Sequence, residues 1–332
     1  MMARPMRTDG AAGASRRHFI QGTAAAAGGV AAHALGAPVA TAAQAPSSSS
    51  PGARLRALLA RPEPSRCVNC GDVATARLVE MHGFEIAMTG GSAMSLSLFG
   101  LGDYGMGTID NLIDFCERAS DAIDIPIIAD ADDGGGNPLN VYRTIQRYER
   151  AGAACVMIED LFGAKHLTGY NEGKILGAEA MVDKIHAAAD ARSNGDLVLM
   201  TRCDIVAAGG TVDEALERVA LYAREGGDVI FVPSIPLDQC ARAVEMADRP
   251  MLGSVSSLDD ARGNRISIAF FGSMNLLALG AVDRALGELA RDGQVGPTGE
   301  IMLDPDRRWE LVRNANVVER AKRYNAQREG AQ

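Results

Sequence analysis

Two segments decide the fold: Pro126-Ile127-Ile128-Ala129-Asp130-Ala131-Asp132 and Cys155-Val156-Met157-Ile158-Glu159-Asp160. Each is a short apolar run that ends in acidic residues, which is typical of a buried parallel strand. Between them, residues 137–151 carry apolar side chains at helical spacing, namely Leu139, Val141, Tyr142, Ile145 and Tyr148. The pattern therefore predicts a strand–helix–strand unit that brings carboxylates from both strands to one edge.

The same alternation continues in both directions along the chain. We predict strands at 66–69, 85–88, 127–131, 154–158, 197–201, 229–232, 251–255 and 266–270. The predicted helices are 53–61, 72–82, 109–123, 137–151, 178–192, 212–224, 237–247 and 274–291. Eight strands, nearly all followed by helices, favour a (β/α)8 TIM-type barrel over residues 53–292. An open doubly wound sheet is the alternative, but the glycine run at 134–136 lacks the spacing of a dinucleotide-binding turn.

The composition narrows the class of protein. The chain has 332 residues, 47% of them hydrophobic, and a formal net charge of −9. An acidic chain without basic clusters in its body is not expected to bind nucleic acid or anionic membranes. No apolar run approaches the roughly 20 residues of a membrane span. We expect a large α/β domain whose partner is a small anionic molecule, attracted locally by a metal ion or a few arginines.

Residues 1–45 are predicted to be an export signal and not part of the fold. Ser15-Arg16-Arg17-His18-Phe19-Ile20 precedes a weakly hydrophobic Ala/Gly stretch, and small-residue sites follow at 40–45. This pattern resembles a twin-arginine signal, which predicts a periplasmic or extracellular protein. The alternative is a disordered Ala-rich tail. Residues 46–52, with their proline and serines, are predicted to be a linker.

Residues 293–332 form a charged tail beyond the predicted barrel. Residues 305–327 have a helical pattern that includes the apolar residues Trp309 and Leu311. An apolar face on a terminal helix outside a complete barrel usually docks on another surface. We therefore expect this tail to take part in oligomerisation.

The six cysteines raise the question of a redox or metal site. Cys67 and Cys70 have C-x-x-C spacing, but they begin a strand-like run, and no second Cys/His pair nearby completes a zinc site. A catalytic role, a disulfide and simple burial stay open for this pair. Cys116, Cys155 and Cys203 fall inside apolar patterns and are predicted to pack in the core.

In such a barrel, the carboxyl ends of the strands share one mouth. The residues that the sequence gathers there are Thr89, Gly90, Gly91, Ser92, Asp130, Asp132, Glu159, Asp160 and Arg202, with Asp103 on the loop after the second strand. The acids can hold one octahedral Mg²⁺. The backbone N–H groups of the 89–92 turn and the Arg202 guanidinium can bind a carboxylate. Such a site suits chelation of a 2-oxo or 2-hydroxy acid and stabilisation of its enolate.

Several motifs, agreeing in order, resemble the isocitrate lyase/phosphoenolpyruvate mutase superfamily. They are Asp130-Ala131-Asp132 with the following glycines, Ala151-Gly152-Ala153, Ile158-Glu159-Asp160, Gly163-Ala164-Lys165, residues 179–185 and Thr201-Arg202-Cys203-Asp204. The resemblance covers about residues 53–290. Within the superfamily, the chain is most similar to the short lyases of the methylisocitrate and dimethylmalate type.

The resemblance implies a (β/α)8 barrel and a homotetramer, a dimer of dimers with an exchanged C-terminal helix. It also implies bound Mg²⁺, or Mn²⁺ in its place. By position, Asp132 would be the direct metal ligand. Asp130, Glu159 and Asp103 would act largely through water. The residues that would hold the substrate carboxylate are Thr89, Gly90, Gly91 and Arg202.

The gating loop departs from the pattern of those lyases. They carry Lys-Lys/Arg-Cys-Gly-His, in which the cysteine protonates the product enolate, whereas this chain reads Lys165-His166-Leu167-Thr168-Gly169-Tyr170. The family glutamate after strand six is absent from Phe231-Val232-Pro233-Ser234, and an asparagine after strand seven is replaced near Ser254. The residues predicted to hold the metal are present, whereas the residues that determine the reaction in those lyases are replaced.

We therefore predict a Mg²⁺-dependent carbon–carbon lyase or decarboxylase of a small 2-oxo or 2-hydroxy dicarboxylate, acting through an enolate without a cysteine acid. His166, Tyr170 or water would supply the proton. Lys165 is a further catalytic candidate, although both Lys165 and His166 also fit as solvated loop residues. One alternative is a phosphonopyruvate hydrolase or mutase. An alternative of another class is a catalytically silent protein that binds the metal and a carboxylate.

Overall fold

Eight parallel strands close into a barrel in chain order, with β8 paired to β1, in a computed structural model that describes residues 49–163, 174–193 and 195–329. The strands are β1 Ser65–Asn69, β2 Ile86–Thr89, β3 Ile127–Asp130, β4 Cys155–Glu159, β5 Val198–Arg202, β6 Val229–Phe231, β7 Met251–Ser254 and β8 Ile268–Ser273. The predicted (β/α)8 barrel is confirmed, and the open-sheet alternative is excluded because the β1–β8 pairing closes the sheet.

The helices surround the barrel. They are α1 Pro51–Leu59, α2 Val73–Met81, α3 Gly91–Met94, α4 Ile109–Ser120, α5 Pro138–Arg150, α6 Ala178–Ala191, α7 Val212–Arg224, α8 Cys240–Ala247, α9 Leu258–Gly263, α10 Asn275–Asp292, α11 Pro305–Leu311 and α12 Asn314–Glu329. Local sequence sets several starts. Thr108 and Thr211 form capping boxes with Asn111 and Glu214, each of which lies three residues further on.

The side chains of each strand alternate between two hydrophobic cores, one inside the barrel and one between the barrel and the helices. Ile128 packs inside the barrel with Met157 and Met200, whereas its neighbours Ile127 and Ala129 pack outward against the helices. Successive side chains of a strand point to opposite faces, so the inward set continues from Ile128 to the strand end. The mouth of the barrel is therefore lined by the last inward residue of each strand.

Helix α1 closes the barrel at the end opposite the mouth. Leu55 is fully buried with the inner core, and Ser50 caps the helix and donates a 2.6 Å hydrogen bond to Asp196. The last two residues of the predicted linker, 51 and 52, therefore belong to this helix, which corrects the predicted boundary at residue 53. The predicted export signal and the first part of the linker lie outside the described residues.

The predicted helices and strands of the barrel match the observed ones to within three residues at each end, but the tail pattern at 305–327 is divided into α11 and α12, and some elements were not predicted. A π-helical turn, Ser95–Phe99, follows α3, and short helix α9 stands between β7 and β8. The predicted apolar face of α5 was partly wrong, since Leu139 is 81% exposed while Val141, Ile145 and Tyr148 are buried. Leu139 lies in the first turn of α5, beyond the contact with the barrel.

The C-terminal tail docks on the barrel of its own chain. Leu311 is buried, its carbonyl accepts a 2.9 Å hydrogen bond from Arg77 on α2, and Arg313 pairs with Glu80 at 3.1 Å. Part of the apolar face of the tail is thus covered by the chain's own barrel, whereas the side chain of Trp309 stays half exposed.

All six cysteines lie in the described part of the chain, and all are buried free thiols. The packing role predicted for Cys116, Cys155 and Cys203 is confirmed. Burial raises the pKa of the Cys70 thiol to about 12, so the thiolate that redox and metal chemistry need is strongly disfavoured. Within the described ranges, no helix is long and apolar enough to cross a membrane.

Candidate metal and carboxylate site

Strand alternation puts two carboxylates and one guanidinium at the mouth. Asp130 follows Ile128 on the inward face of β3, and Glu159 follows Met157 on β4. Glu159 is the register partner of Arg202 on β5. Because all three are last residues of their strands and point inward, the fold brings them to one place at the barrel mouth.

Asp130, Asp132 and Glu159 form one acidic cluster, with ligand oxygens that all lie within 4.8 Å of one another. Asp130 and Glu159 are buried, and Asp132 is half-buried. The carboxylate of Asp130 is held at both oxygens, because Oδ2 accepts from the Gly91 amide at 2.9 Å and Oδ1 from the Asp132 amide at 3.1 Å. The structure therefore brings together the three predicted metal ligands.

A tight turn carries Asp132. Its backbone has a φ of +48°, in the left-handed region, and the turn is closed by a 2.8 Å hydrogen bond from Gly134 N–H to the Ala131 carbonyl. The Asp132 carbonyl in turn accepts from the Glu159 amide at 2.9 Å. The second and third acids of the cluster are thus linked through the backbone, and the turn is strained for a residue with a side chain.

Arg202 is engaged with acids of its own chain. Its Nη1 lies 3.2 Å from Glu159 Oε2, and its Nη2 donates to Asp204 Oδ1 at 2.7 Å. Burial alone would lower the pKa of Arg202, but the charges of Glu159 and Asp204 raise it above its ordinary value. The side chain, which also lies over the Phe231 ring, is therefore a permanent buried cation at the mouth.

Asp160 points away from the mouth, unlike Glu159. Its carboxylate accepts from the Asp204 amide at 2.8 Å and from the Tyr222 hydroxyl at 2.9 Å, and it pairs with Arg218 on α7. Burial raises the pKa of Asp160 despite these bonds. Asp160 therefore ties the end of β4 to the helix layer and contributes no oxygen to the acidic cluster.

The turn at 89–92 is partly occupied by protein groups. The Gly90 amide donates to Asn69 Oδ1 at 2.9 Å, and the Gly91 amide donates to Asp130. Thr89 is buried on the outward side, next to the Cys116 thiol. Ser92 is exposed. Both amides predicted to bind the substrate carboxylate therefore donate to protein groups in this structure, and their use for substrate stays a prediction.

Asp103 lies at the site. It lines a small pocket together with Asp132, Gly91, Met94 and Leu112. The structure thus places Asp103 in the same pocket as Asp132, and its predicted role toward the metal stays a prediction. The predicted gating-loop candidates Lys165, His166 and Tyr170 lie outside the described residues.

The donor set fits a hard divalent cation. Three carboxylates, which offer oxygen ligands only, are what Mg²⁺ and Mn²⁺ prefer. The missing side chain at Gly91 leaves room beside them, since a Cβ there would lie 3.4 Å from both Asp130 Oδ2 and Asp132 Oδ1. Asp130, Asp132 and Glu159 are therefore the residues that would hold such an ion.

The sequence analysis missed two residues that shape the site. Asn69 accepts a hydrogen bond from the Gly90 amide, and Lys184 of α6 donates to the carbonyl of Asp133. Pairing of Arg202 with Asp204 or Glu159, the alternative to substrate binding that the sequence also allows, is present in the structure. A signal for Lys184 was present, because it falls on the buried face of α6 with Met181, Ile185 and Ala188. The Asn69 contact depends on the register of β1 and β2 and leaves no local signature.

A parallel (β/α)8 barrel with an acidic cluster and a buried arginine at the carboxyl ends of its strands has the arrangement of a TIM-barrel enzyme, whose site lies at that face. The phosphoenolpyruvate phosphomutase family matches residues 55–275, and the chain belongs to that family, within the isocitrate lyase/PEP mutase superfamily. The predicted superfamily is thereby confirmed, and with it the prediction of an enzyme.

Relatives of this chain include enzymes with different stated activities. The 2-methylisocitrate lyase of Salmonella typhimurium is 32% identical over 71% of this chain and 82% of its own length. An oxaloacetate decarboxylase of Rhodopseudomonas palustris (strain HaA2) is 33% identical over 81% of this chain and 95% of its own length. A structure of oxaloacetate acetylhydrolase with 3,3-difluorooxalacetate superposes with a TM-score of 0.73 at 27% identity, covering 81% of this chain and 96% of that one.

Proposed function

We propose that this protein is a divalent-metal-dependent carbon–carbon lyase or decarboxylase of a small 2-oxo or 2-hydroxy dicarboxylate of the oxaloacetate or malate type. The observation that carries the proposal is the convergence of Asp130, Asp132 and Glu159 within 4.8 Å beside the buried cation of Arg202. An ion held by the three acids would supply Lewis-acid stabilisation of negative charge on the substrate oxygens.

The chain's own residues bind and orient the substrate in this proposal. Arg202 is a fixed positive charge that attracts a carboxylate group, and Asp204 and Glu159 hold its guanidinium in place. The buried strand ends exclude water from that side of the mouth. Asp103, on the loop after β2, lines the same small pocket as Asp132. His166, Tyr170 or water would deliver the proton to the enolate carbon.

The sequence of residues 165–170 favours an oxaloacetate-type substrate over a methylisocitrate-type one. Relatives of both kinds align with this chain, the oxaloacetate decarboxylase of R. palustris over 81% of it and the 2-methylisocitrate lyase of S. typhimurium over 71%, so they do not separate the two substrates. The gating loop of this chain lacks the cysteine acid of the methylisocitrate type. Phosphonopyruvate cleavage is the second candidate, since the matching family is named for a phosphomutase.

The proposal is tested with a substrate panel. Purified protein with Mg²⁺ is incubated with oxaloacetate, 2-methyl- and 2,3-dimethylmalate, 2-methylisocitrate and phosphonopyruvate, and carbon dioxide, pyruvate, oxalate and phosphate are measured. Oxaloacetate decays slowly with Mg²⁺ alone, so the Asp132→Asn variant serves as the matched control. Pyruvate or oxalate formation that exceeds this control supports the proposal. Phosphate release from phosphonopyruvate alone supports the second candidate, and tight binding without turnover of any compound contradicts both.

We also propose that two copies of the chain associate through α10. Almost the whole length of this 18-residue helix is exposed, including Leu277, Val282 and Leu286, although it follows β8, where a barrel helix normally covers the sheet. Pairing with a second copy would cover the same helix in both chains. Analytical ultracentrifugation should show a dimer or tetramer, and Leu277→Asp with Leu286→Asp should dissociate it. A wild-type monomer contradicts the proposal.

Export through the twin-arginine route stays a prediction from residues 1–45. We propose that the protein folds and loads its metal before export, as that route carries folded proteins. Changing Arg16 and Arg17 to lysine should retain the protein inside the producing cell, which fractionation of a bacterial host measures. Unchanged export of this variant contradicts the proposal.

A further inference from the structure

Lys184 is a buried cation on α6, close to the acidic cluster but not part of it. Its side chain is 6% exposed. Nζ donates a 2.7 Å hydrogen bond to the backbone carbonyl of Asp133 and lies 3.6 Å from the Asp133 carboxylate. Burial of an ammonium group is costly unless it is paired and hydrogen-bonded. Both contacts of this costly group go to the residue that follows Asp132.

The turn held by Lys184 is the strained one. Asp132 has a left-handed backbone conformation with a φ of +48°, which disfavours residues other than glycine. Such conformations persist only where the surroundings hold them. The Asp132 side of the turn is fixed by the bond from the Glu159 amide, and the Asp133 carbonyl is fixed by Lys184. Tyr148 and Asn140 of α5 donate to the carbonyls of Asp130 and Gly135 on either side of the turn, and Lys184 is the side chain that holds Asp133 itself.

We propose that Lys184 is a positioning residue for Asp132, holding the turn so that the Asp132 carboxylate faces the other two acids. This inference rests on one part of the proposed function, namely that Asp130, Asp132 and Glu159 hold a divalent ion. It adds a residue in the helix layer that sets the affinity for that ion without touching it. Outer-shell partners of this kind change metal affinity by about 10- to 100-fold when they are removed.

Electrostatics and positioning predict opposite results for removal of the lysine. If Lys184 acted only through its charge, a neutral residue would make the acidic cluster more attractive to a cation, and the binding of Mg²⁺ would tighten. If Lys184 holds the turn, a neutral residue without a donor would release Asp133, and the binding of Mg²⁺ would weaken. The sign of the change in affinity therefore separates the two roles.

The experiment measures Mg²⁺ binding by calorimetry to the full chain after treatment with chelator. Lys184→Met removes the donor at nearly the same length, and Lys184→Gln keeps a polar group that is one bond too short to reach the carbonyl. Both are expected to bind Mg²⁺ at least about 10-fold more weakly than wild type. Lys184→Arg, which keeps a cationic donor, is expected to lose less. Asp183→Asn, on the exposed face of the same helix, is the control and should bind as wild type does.

Circular dichroism establishes which variants are folded, and two lysine variants keep the test decisive if one of them is not. Wild-type or tighter Mg²⁺ affinity in a folded Lys184→Met or Lys184→Gln protein would overturn the inference. Failure of the metal site itself has a different signature. In that case the wild-type protein would bind no Mg²⁺, or Asp132→Asn would bind it as well as wild type does.

Discussion

Glu159 and Arg202 are opposite partners on β4 and β5, and Arg202 Nη1 lies 3.2 Å from Glu159 Oε2. Arg202, which is expected to bind the substrate, therefore already neutralises Glu159, which is expected to hold the metal. A substrate carboxylate that approaches Arg202 competes with Glu159 and Asp204 for the same donors. A divalent ion at the cluster would reduce the negative charge that draws Arg202 to Glu159, so the binding of metal and of substrate should favour each other.

Replacement of Arg202 by alanine should cost both stability and substrate binding. It leaves the buried carboxylates of Glu159 and Asp204 without their cation, which typically costs about 3–5 kcal/mol. Chemical denaturation should show this loss, and KM for the preferred dicarboxylate should rise. Arg202→Lys is the matched variant: it keeps the charge but not the two-pronged geometry, so KM should rise with a smaller loss of stability. An alanine variant as stable as wild type would contradict the pairing.

The two glycines of the mouth turn should respond differently to alanine. A Cβ at Gly90 would lie 2.6 Å from Asn69 Nδ2, so the buried amide that holds the turn must move. At Gly91 the nearest atoms are at 3.4 Å, an ordinary contact. We expect Gly90→Ala to lose about 1–3 kcal/mol of unfolding free energy and most activity, and Gly91→Ala to lose less of both. Thermal unfolding and turnover check the order, and the reverse order would show that the Asn69 contact does not hold the turn.

Glu85 gives a pH-dependent prediction away from the mouth. Burial alone would raise the pKa of Glu85, but hydrogen bonds from the Arg66 side chain and backbone, and the Arg66 charge, lower it below the ordinary value. The pair therefore stabilises the fold above the unfolded pKa of about 4.3, and this contribution is lost as pH falls through the lowered folded pKa.

The measurement for Glu85 compares wild type with Glu85→Gln by urea denaturation. The variant should be less stable by about 1 kcal/mol at pH 7. The difference should shrink as the pH falls below about 4.3, because protonation removes the charge of Glu85 first in the unfolded chain and then, through its lowered pKa, in the folded protein. A difference that stays constant down to acid pH would mean that the ionised Glu85 does not contribute.

The barrel could be predicted because its strands carry a local signal. Ile127-Ile128-Ala129-Asp130 and Cys155-Val156-Met157-Ile158-Glu159 are apolar on both faces and end in acid, and parallel pairing follows from the helices between strands. The same alternation predicted which acids converge. Helix α9 was missed because it has only six residues, although Ser257 and Asp260 form a recognisable start.

The contacts of the site could not be read from the sequence. Whether Arg202 points at the substrate or at Asp204 depends on the backbone after β5, and the use of the Gly90 amide by Asn69 depends on how β1 stands next to β2. The orientation of Asp160 toward α7 has the same origin. These are relations between distant segments, whereas spacing along the chain reports only local periodicity.

The most direct test of the account is the rate of substrate cleavage with and without metal. Protein freed of metal by EDTA should be inactive on the substrate that the panel identifies, and Mg²⁺ or Mn²⁺ should restore the rate in wild type but not in Asp132→Asn. The chelated variant and wild type should have the same circular dichroism spectrum, since the three acids sit on preformed strand ends. Full cleavage activity in EDTA, or a restored rate in Asp132→Asn, would contradict the claim that the acids at the barrel mouth act through a bound divalent ion.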